Sequence, residues 1–336
     1  MQAFRNFSVI LFSLLLEATP FLLLGVLVSA ALSVYVSDDF LMKWFPRRTS
    51  LALLYALVVG FVFPVCECGN VPVARRLMAK GVPHGAAITF LLAAPVLNPI
   101  AIIVTVAAFP GQPEILWLRL TFTVIISLSV GAVFSLIRKS EVVKESVAVG
   151  ACAAVAGPPG GEKIDTHGRL NVGGRDEAML NDHSHDCNEC ADYAYYRTLP
   201  PRQRGIQFLF LVRNEFIEML RLLVLGAIIA ASFRTFVPQA LLNKVGVSQV
   251  LSVLTLMLLA FIMSLCSNVD AFFAAAFAGT FSPGSLVAFL VFGPMINVKT
   301  LVMMTSTFKA RALFWLTVIV VLATFMLALL ANYVIL

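Results

Sequence analysis

Two stretches of this chain concentrate the side chains capable of chemistry. In Phe61-Val-Phe-Pro-Val-Cys-Glu-Cys-Gly-Asn-Val-Pro-Val73, the thiols Cys66 and Cys68 flank Glu67, and Asn70 follows, all within otherwise apolar sequence. Met263-Ser-Leu-Cys-Ser-Asn-Val-Asp270 echoes it with Cys266, Asn268 and Asp270. Thiols two residues apart point to nearly opposite faces of a regular helix. Unwound backbone between Pro64 and Pro72, eased by Gly69, would turn both thiols of the first stretch toward one cavity. Such backbone is tolerated at membrane depth only where it is buried in protein or lines water. A soft ligand, such as a trivalent metalloid or a soft metal ion, accounts for thiols in that position. The competing reading is that each Cys is a small apolar filler.

Carboxylates extend the pattern. Glu17, Glu67, Glu218 and Asp270 lie within or beside apolar segments, where an unpaired charge costs several kcal/mol and usually marks an ion or proton path. Glu67, Asp270 and Glu17 are therefore the proton-coupling candidates. For Glu218, an ion pair with Arg221 one turn on is the structural alternative. The amides Asn70, Asn98, Asn268 and Asn297 would either recap broken helix ends or hydrogen-bond a substrate. A separate group, His183, His185, Cys187 and Cys190, places two imidazoles and two thiols within eight residues of polar sequence. That spacing suits one tetrahedral metal ion, against the alternative of a polar segment that merely contains these residues. No cofactor is otherwise expected. The chain has no Walker loop, dinucleotide glycine pattern or nucleophile elbow, so an enzyme is not expected.

The elements that must position these residues follow from composition. The 336 residues are 60% hydrophobic and 12% charged, with a mean hydropathy of +0.93. Soluble domains carry about 25% charged residues. Apolar runs long enough for a hydrocarbon core of roughly 30 Å recur throughout, which defines an all-α polytopic membrane protein with the lipid bilayer as its surroundings. The net charge of +6 gathers at segment ends, as in membrane proteins, and implies no nucleic acid partner. The six cysteines show no extracellular disulfide framework.

Segments are expected at about 7–36, from 50 to a break at 64–72, at 86–109 with a second break around Asn98, and at 115–137. Residues 1–138 form the first half, 139–206 a flexible polar loop, and 207–336 the second half. Leu24-Gly25 matches Leu225-Gly226, Cys68 matches Cys266, and Asn98 matches Asn297, at offsets of 201, 198 and 199 residues. This predicts two homologous repeats of about four crossings each, broken at Cys66-Cys68 and Asn98 and again at Cys266 and Asn297. Whether the repeats are parallel or inverted stays open. Flanking charges, with Arg119 and Lys309 counted on one side, balance across the membrane; the basic residues of the central loop favour placing it in the cytoplasm.

At Cys66-Glu-Cys-Gly-Asn-Val-Pro-Val-Ala-Arg-Arg76, with Lys80-Gly-Val-Pro83 and Ala94-Pro-Val-Leu-Asn-Pro-Ile100, the chain resembles the ArsP/YraQ-type permeases of bacteria. The resemblance covers about 8–138 and 207–334. It implies a multi-pass protein of the bacterial inner membrane, about eight helices, and export of trivalent organoarsenicals such as methylarsenite, with Cys66, Cys68 and Cys266 facing the substrate. Three functions stay in competition: a proton-coupled secondary permease for a thiophilic metalloid; a permease or membrane subunit handling zinc or copper, motivated by the His/Cys group; and a non-transporting scaffold or thiol redox protein.

Overall fold

A computed structural model describes residues 2–35, 49–62, 67–144, 201–236, 249–267, 269–279 and 281–335. The described residues form α-helices and an isolated antiparallel bridge, Val143 to Phe308. The first half contains α1 (Gln2–Tyr35), α2 (Thr49–Val62), α3 (Glu67–Ala79), α4 (His84–Leu97), α5 (Pro99–Ala108), α6 (Pro113–Ser135) and α7 (Lys139–Val142). The second contains α8 (Pro201–Phe236), α9 (Gln249–Met263), α10 (Asp270–Ala275), α11 (Pro283–Met295), α12 (Val298–Met304) and α13 (Ala310–Ile335). Five described spans are long and apolar enough to cross a bilayer: Phe7–Tyr35, His84–Ala108, Pro113–Ser135, Pro283–Met304 and Ala310–Tyr333. The shorter apolar helices α2 and α9 accompany them. The chain is an all-α polytopic membrane protein.

The centre is built from α4 and α11. Both are apolar on every face, and a helix of that kind must be enclosed by others. Every residue from 85 to 97, and every residue from 284 to 295, is buried. The two helices pack on each other; α2 and α6 flank α4, while α9 and α13 flank α11. Small polar groups fasten these neighbours. Thr89 donates to the Gly85 and Ser127 carbonyls at 3.1 and 3.2 Å, and Gly284 N donates to Asn332 Oδ1 at 2.9 Å.

Around this centre the halves meet in pairs: α1 with α8, α6 with α13, α3 with α12, and α5 with α10. The crossing of α1 over α3 is so close that a Cβ on Gly25 would overlap the Gly69 backbone. On the matching residue Gly226, a Cβ would lie 2.9 Å from the Lys299 Cα on α12.

Two boundaries differ from the sequence expectation. Helix α8 starts at Pro201, ahead of residue 207. Residues 139–144 are docked on the second half, since Lys144 N donates to the Thr307 carbonyl and Lys309 N to the Val142 carbonyl, each at 3.0 Å.

Candidate functional site

The breaks have local causes. Pro99 drives the preceding residue out of helical conformation, and Asn98 is extended with φ −52° and ψ 130°. Its side chain then caps α5, with Oδ1 accepting from Ile100 N at 3.0 Å. Asn297 acts alike: Oδ1 accepts from Thr300 N at 2.9 Å and Nδ2 donates to the Gly293 carbonyl at 3.0 Å. Of the two roles open to these amides, the geometry shows capping. The break after α9 is entered through Ser264 at φ 48°, a left-handed conformation unusual for a residue with a Cβ. The Cys266 carbonyl then accepts from Val269 N at 2.9 Å and Asp270 N at 3.0 Å, starting α10.

These breaks carry buried polar groups. Glu67, Cys68 and Asn70 stand in the first turn of α3, and Cys266 and Ser267 precede Asp270; all are buried. Cys68 and Cys266 are thiols, not disulfide partners. Cys66, Asn268, His183, His185, Cys187 and Cys190 lie outside the described residues, as does the side chain of Glu17. Among the described residues, no three His, Cys, Asp or Glu side chains gather into a group able to hold a metal ion.

Asp270 has a partner that no local pattern indicates. Arg119 of α6, which the sequence suggests as a flanking charge, is 1% exposed and sits in the protein core. Its Nη2 contacts Asp270 Oδ2 at 2.8 Å, and its Nη1 donates to Thr105 Oγ1 of α5 at 2.7 Å. The pair joins the two halves where α5 meets α10. Asp270 also lies within electrostatic range of Glu67, so acids from both halves share one neighbourhood.

A second polar cluster joins α1, α3 and α8. Glu215, 5% exposed, accepts from Ser29 Oγ at 2.9 and 3.0 Å and lies 3.7 Å from Arg76 Nε. One turn along α8, Glu218 pairs with Arg75 at 2.8 Å, so Glu218 reaches across to α3. Arg119, Glu215 and the fully buried Lys299 are the ionisable residues that sequence reading overlooks. Each sits in or beside an apolar run, the criterion that singled out Glu17.

Among the described residues, several of these buried atoms have no hydrogen-bond partner: both amide atoms of Asn70, Ser267 Oγ, Thr300 Oγ1, Asp270 Oδ1 and Arg119 Nε. Such an atom costs about 1–3 kcal/mol when left unsatisfied. Their residues lie on α3, α6, α12 and the start of α10, against the breaks. The arrangement suits a polar solute or water held between the halves.

A multi-pass helical bundle with broken helices and buried charge at their ends is the architecture of a membrane permease. Residues 3–333 match the predicted permease family ArsP_1, and the chain belongs to that family. It is 35% identical over 326 residues to the UPF0718 protein YcgR of Bacillus subtilis, covering 96% of each chain. It is 33% identical over 302 residues to a Streptococcus mutans protein named "Putative two-component membrane permease complex subunit", covering 90% of this chain and 87% of the relative. A shorter match, 31% identical over 130 residues, covers 38% of this chain and 35% of the UPF0718 protein MJ0584 of Methanocaldococcus jannaschii. No solved structure matches the chain.

Proposed function

We propose that this permease moves a small thiophilic solute outward along a polar seam past the breaks that start α3 and α10, with trivalent organoarsenicals as the substrate class. The observation carrying this reading is that buried Asn70 and Ser267, within two residues of Cys68 and Cys266, have side-chain polar atoms unsatisfied among the described residues. Thiols supply soft ligands, while Asn70, Ser267 and Thr300 supply hydrogen bonds to the solute's oxygens or bound water. Cys66 joins them by its place in the same stretch. The matched order of broken helices supports reading the halves as a duplicated unit around this seam.

Coupling to protons is assigned to Asp270 and Glu67, with Glu17 as a further candidate. A proton delivered to Asp270 neutralises the partner of Arg119 and loosens the contact of α6 with α10. That alternation between paired and protonated states would let one buried charge respond to solute or proton occupancy. The loop residues His183, His185, Cys187 and Cys190 support a second reading, in which zinc or copper is carried or sensed. The Streptococcus relative's description as a complex subunit favours including a partner membrane protein in that reading.

The test is cellular tolerance together with flux. Cells producing the protein should survive methylarsenite better than cells with an empty vector, and Cys68→Ser or Cys266→Ser should remove the advantage while the protein still accumulates. No protection by the wild type, with protein present in the membrane, overturns the arsenical reading.

A further inference from the structure

A groove of 340 Å³ opens at one end of α13, away from the polar seam. Its walls include Leu301 and Thr305 of the α12 end, Phe308, and Leu313, Phe314 and Thr317 of α13. Lys144 stands at its mouth. Phe314 is 62% exposed and the adjacent Trp315 54% exposed, on the most apolar of the five spans, so this side of α13 faces hydrocarbon. Trp at such a position marks the level of the membrane interface.

The mouth is basic and held in shape. The bridge from Val143 to Phe308 fastens the end of the first half to the turn before α13. Lys144 Nζ donates to the Thr305 carbonyl at 2.5 Å, and Lys309 Nζ to the Ser140 carbonyl at 2.6 Å. Each ammonium thus has one donor committed to the backbone and retains capacity for another acceptor. Arg138 and Arg311, both exposed, lie within two residues of the bonded pair Ser140 and Lys309 in sequence, and Glu141 is an exposed acid beside Ser140. A cationic mouth above an apolar groove matches an amphiphile with an anionic head. A free anion would leave the groove unfilled, and a zwitterionic lipid would carry a second charge that these cations repel.

We propose that this groove is a binding site for an anionic phospholipid of the surrounding bilayer. Its phosphate rests on Lys144 and Arg311, and one acyl chain lies along Leu301, Leu313, Phe314 and Thr317. The bound lipid bridges the end of the first half and the last helix of the second, so it stabilises their contact. It also assigns this end of α6 and α13 to the leaflet richer in anionic lipid.

The test uses the full-length protein purified in neutral detergent, titrated with phosphatidylglycerol, with phosphatidylcholine of the same chains, and with inorganic phosphate. Lipid retention is read by native mass spectrometry and stability by thermal unfolding. Phosphatidylglycerol should be retained preferentially and raise the melting temperature, while inorganic phosphate should leave it unchanged. Lys144→Gln and Arg311→Gln should each weaken phosphatidylglycerol retention about fivefold without altering phosphatidylcholine retention. Thr317→Trp, which fills the groove and leaves the charges in place, should also reduce phosphatidylglycerol retention. Equal retention of the two lipids by the wild type would overturn the proposal. So would full stabilisation by inorganic phosphate alone, or unchanged retention in both Arg311→Gln and Thr317→Trp.

Discussion

The Arg119 to Asp270 pair offers the sharpest energetic test, because both side chains are at most 2% exposed and they come from different halves. Asp270→Asn leaves the guanidinium buried with its Thr105 hydrogen bond and without its bonded carboxylate. Removing one member of a buried pair costs about 3–5 kcal/mol. Arg119→Met leaves the carboxylate instead, which can escape part of the penalty by taking up a proton, so about 2–4 kcal/mol is expected. The double variant removes both charges and should cost less than the two singles together by at least about 2 kcal/mol. Thr105→Val, which removes only a hydroxyl acceptor, should cost about 1–2 kcal/mol. Unfolding of the purified protein in mixed detergent, followed by tryptophan fluorescence, measures all four. Strict additivity, or a cost below about 1 kcal/mol for both single variants, would refute the buried pair.

Further perturbations separate the other interactions. Glu215→Gln leaves Arg76 without a countercharge in a site that is 14% exposed, and should destabilise by about 2 kcal/mol; Glu218→Gln, in a half-exposed pair, should cost at most about 1 kcal/mol. The same unfolding assay ranks the two, and equal costs would contradict their different burial. Gly25→Leu forces α1 away from Gly69 and should prevent accumulation of folded protein, monitored by size-exclusion profile. Ser264→Gly relieves a left-handed residue and should stabilise the protein by up to about 1 kcal/mol, even with its hydroxyl bond to the Phe261 carbonyl lost. A melting temperature lowered by this change would show that the hydroxyl outweighs the backbone strain.

The breaks were legible because proline, glycine and asparagine interrupt runs that otherwise read as continuous helix. Pro99 announces the extended Asn98, and Cys68-Gly-Asn announces the start of α3. Arg119 was hidden by its position, close enough to the start of α6 to read as an interface charge. Its partner lies 151 residues away, and no local pattern encodes that distance. Glu218 shows the same limit: the i+3 neighbour Arg221 was the local expectation, yet Arg75 on another helix takes the contact. The docking of residues 139–144 depends on backbone hydrogen bonds to residues 305–309, which side-chain pattern does not reveal.

Flux through the seam is the most direct measurement. Everted membrane vesicles containing the protein should accumulate methylarsenite faster than control vesicles, with Cys68→Ser and Cys266→Ser reducing the rate to control level and dissipation of the proton gradient doing the same. Uptake no faster than control, in vesicles shown to contain folded protein, would contradict a thiophilic path past the breaks that start α3 and α10.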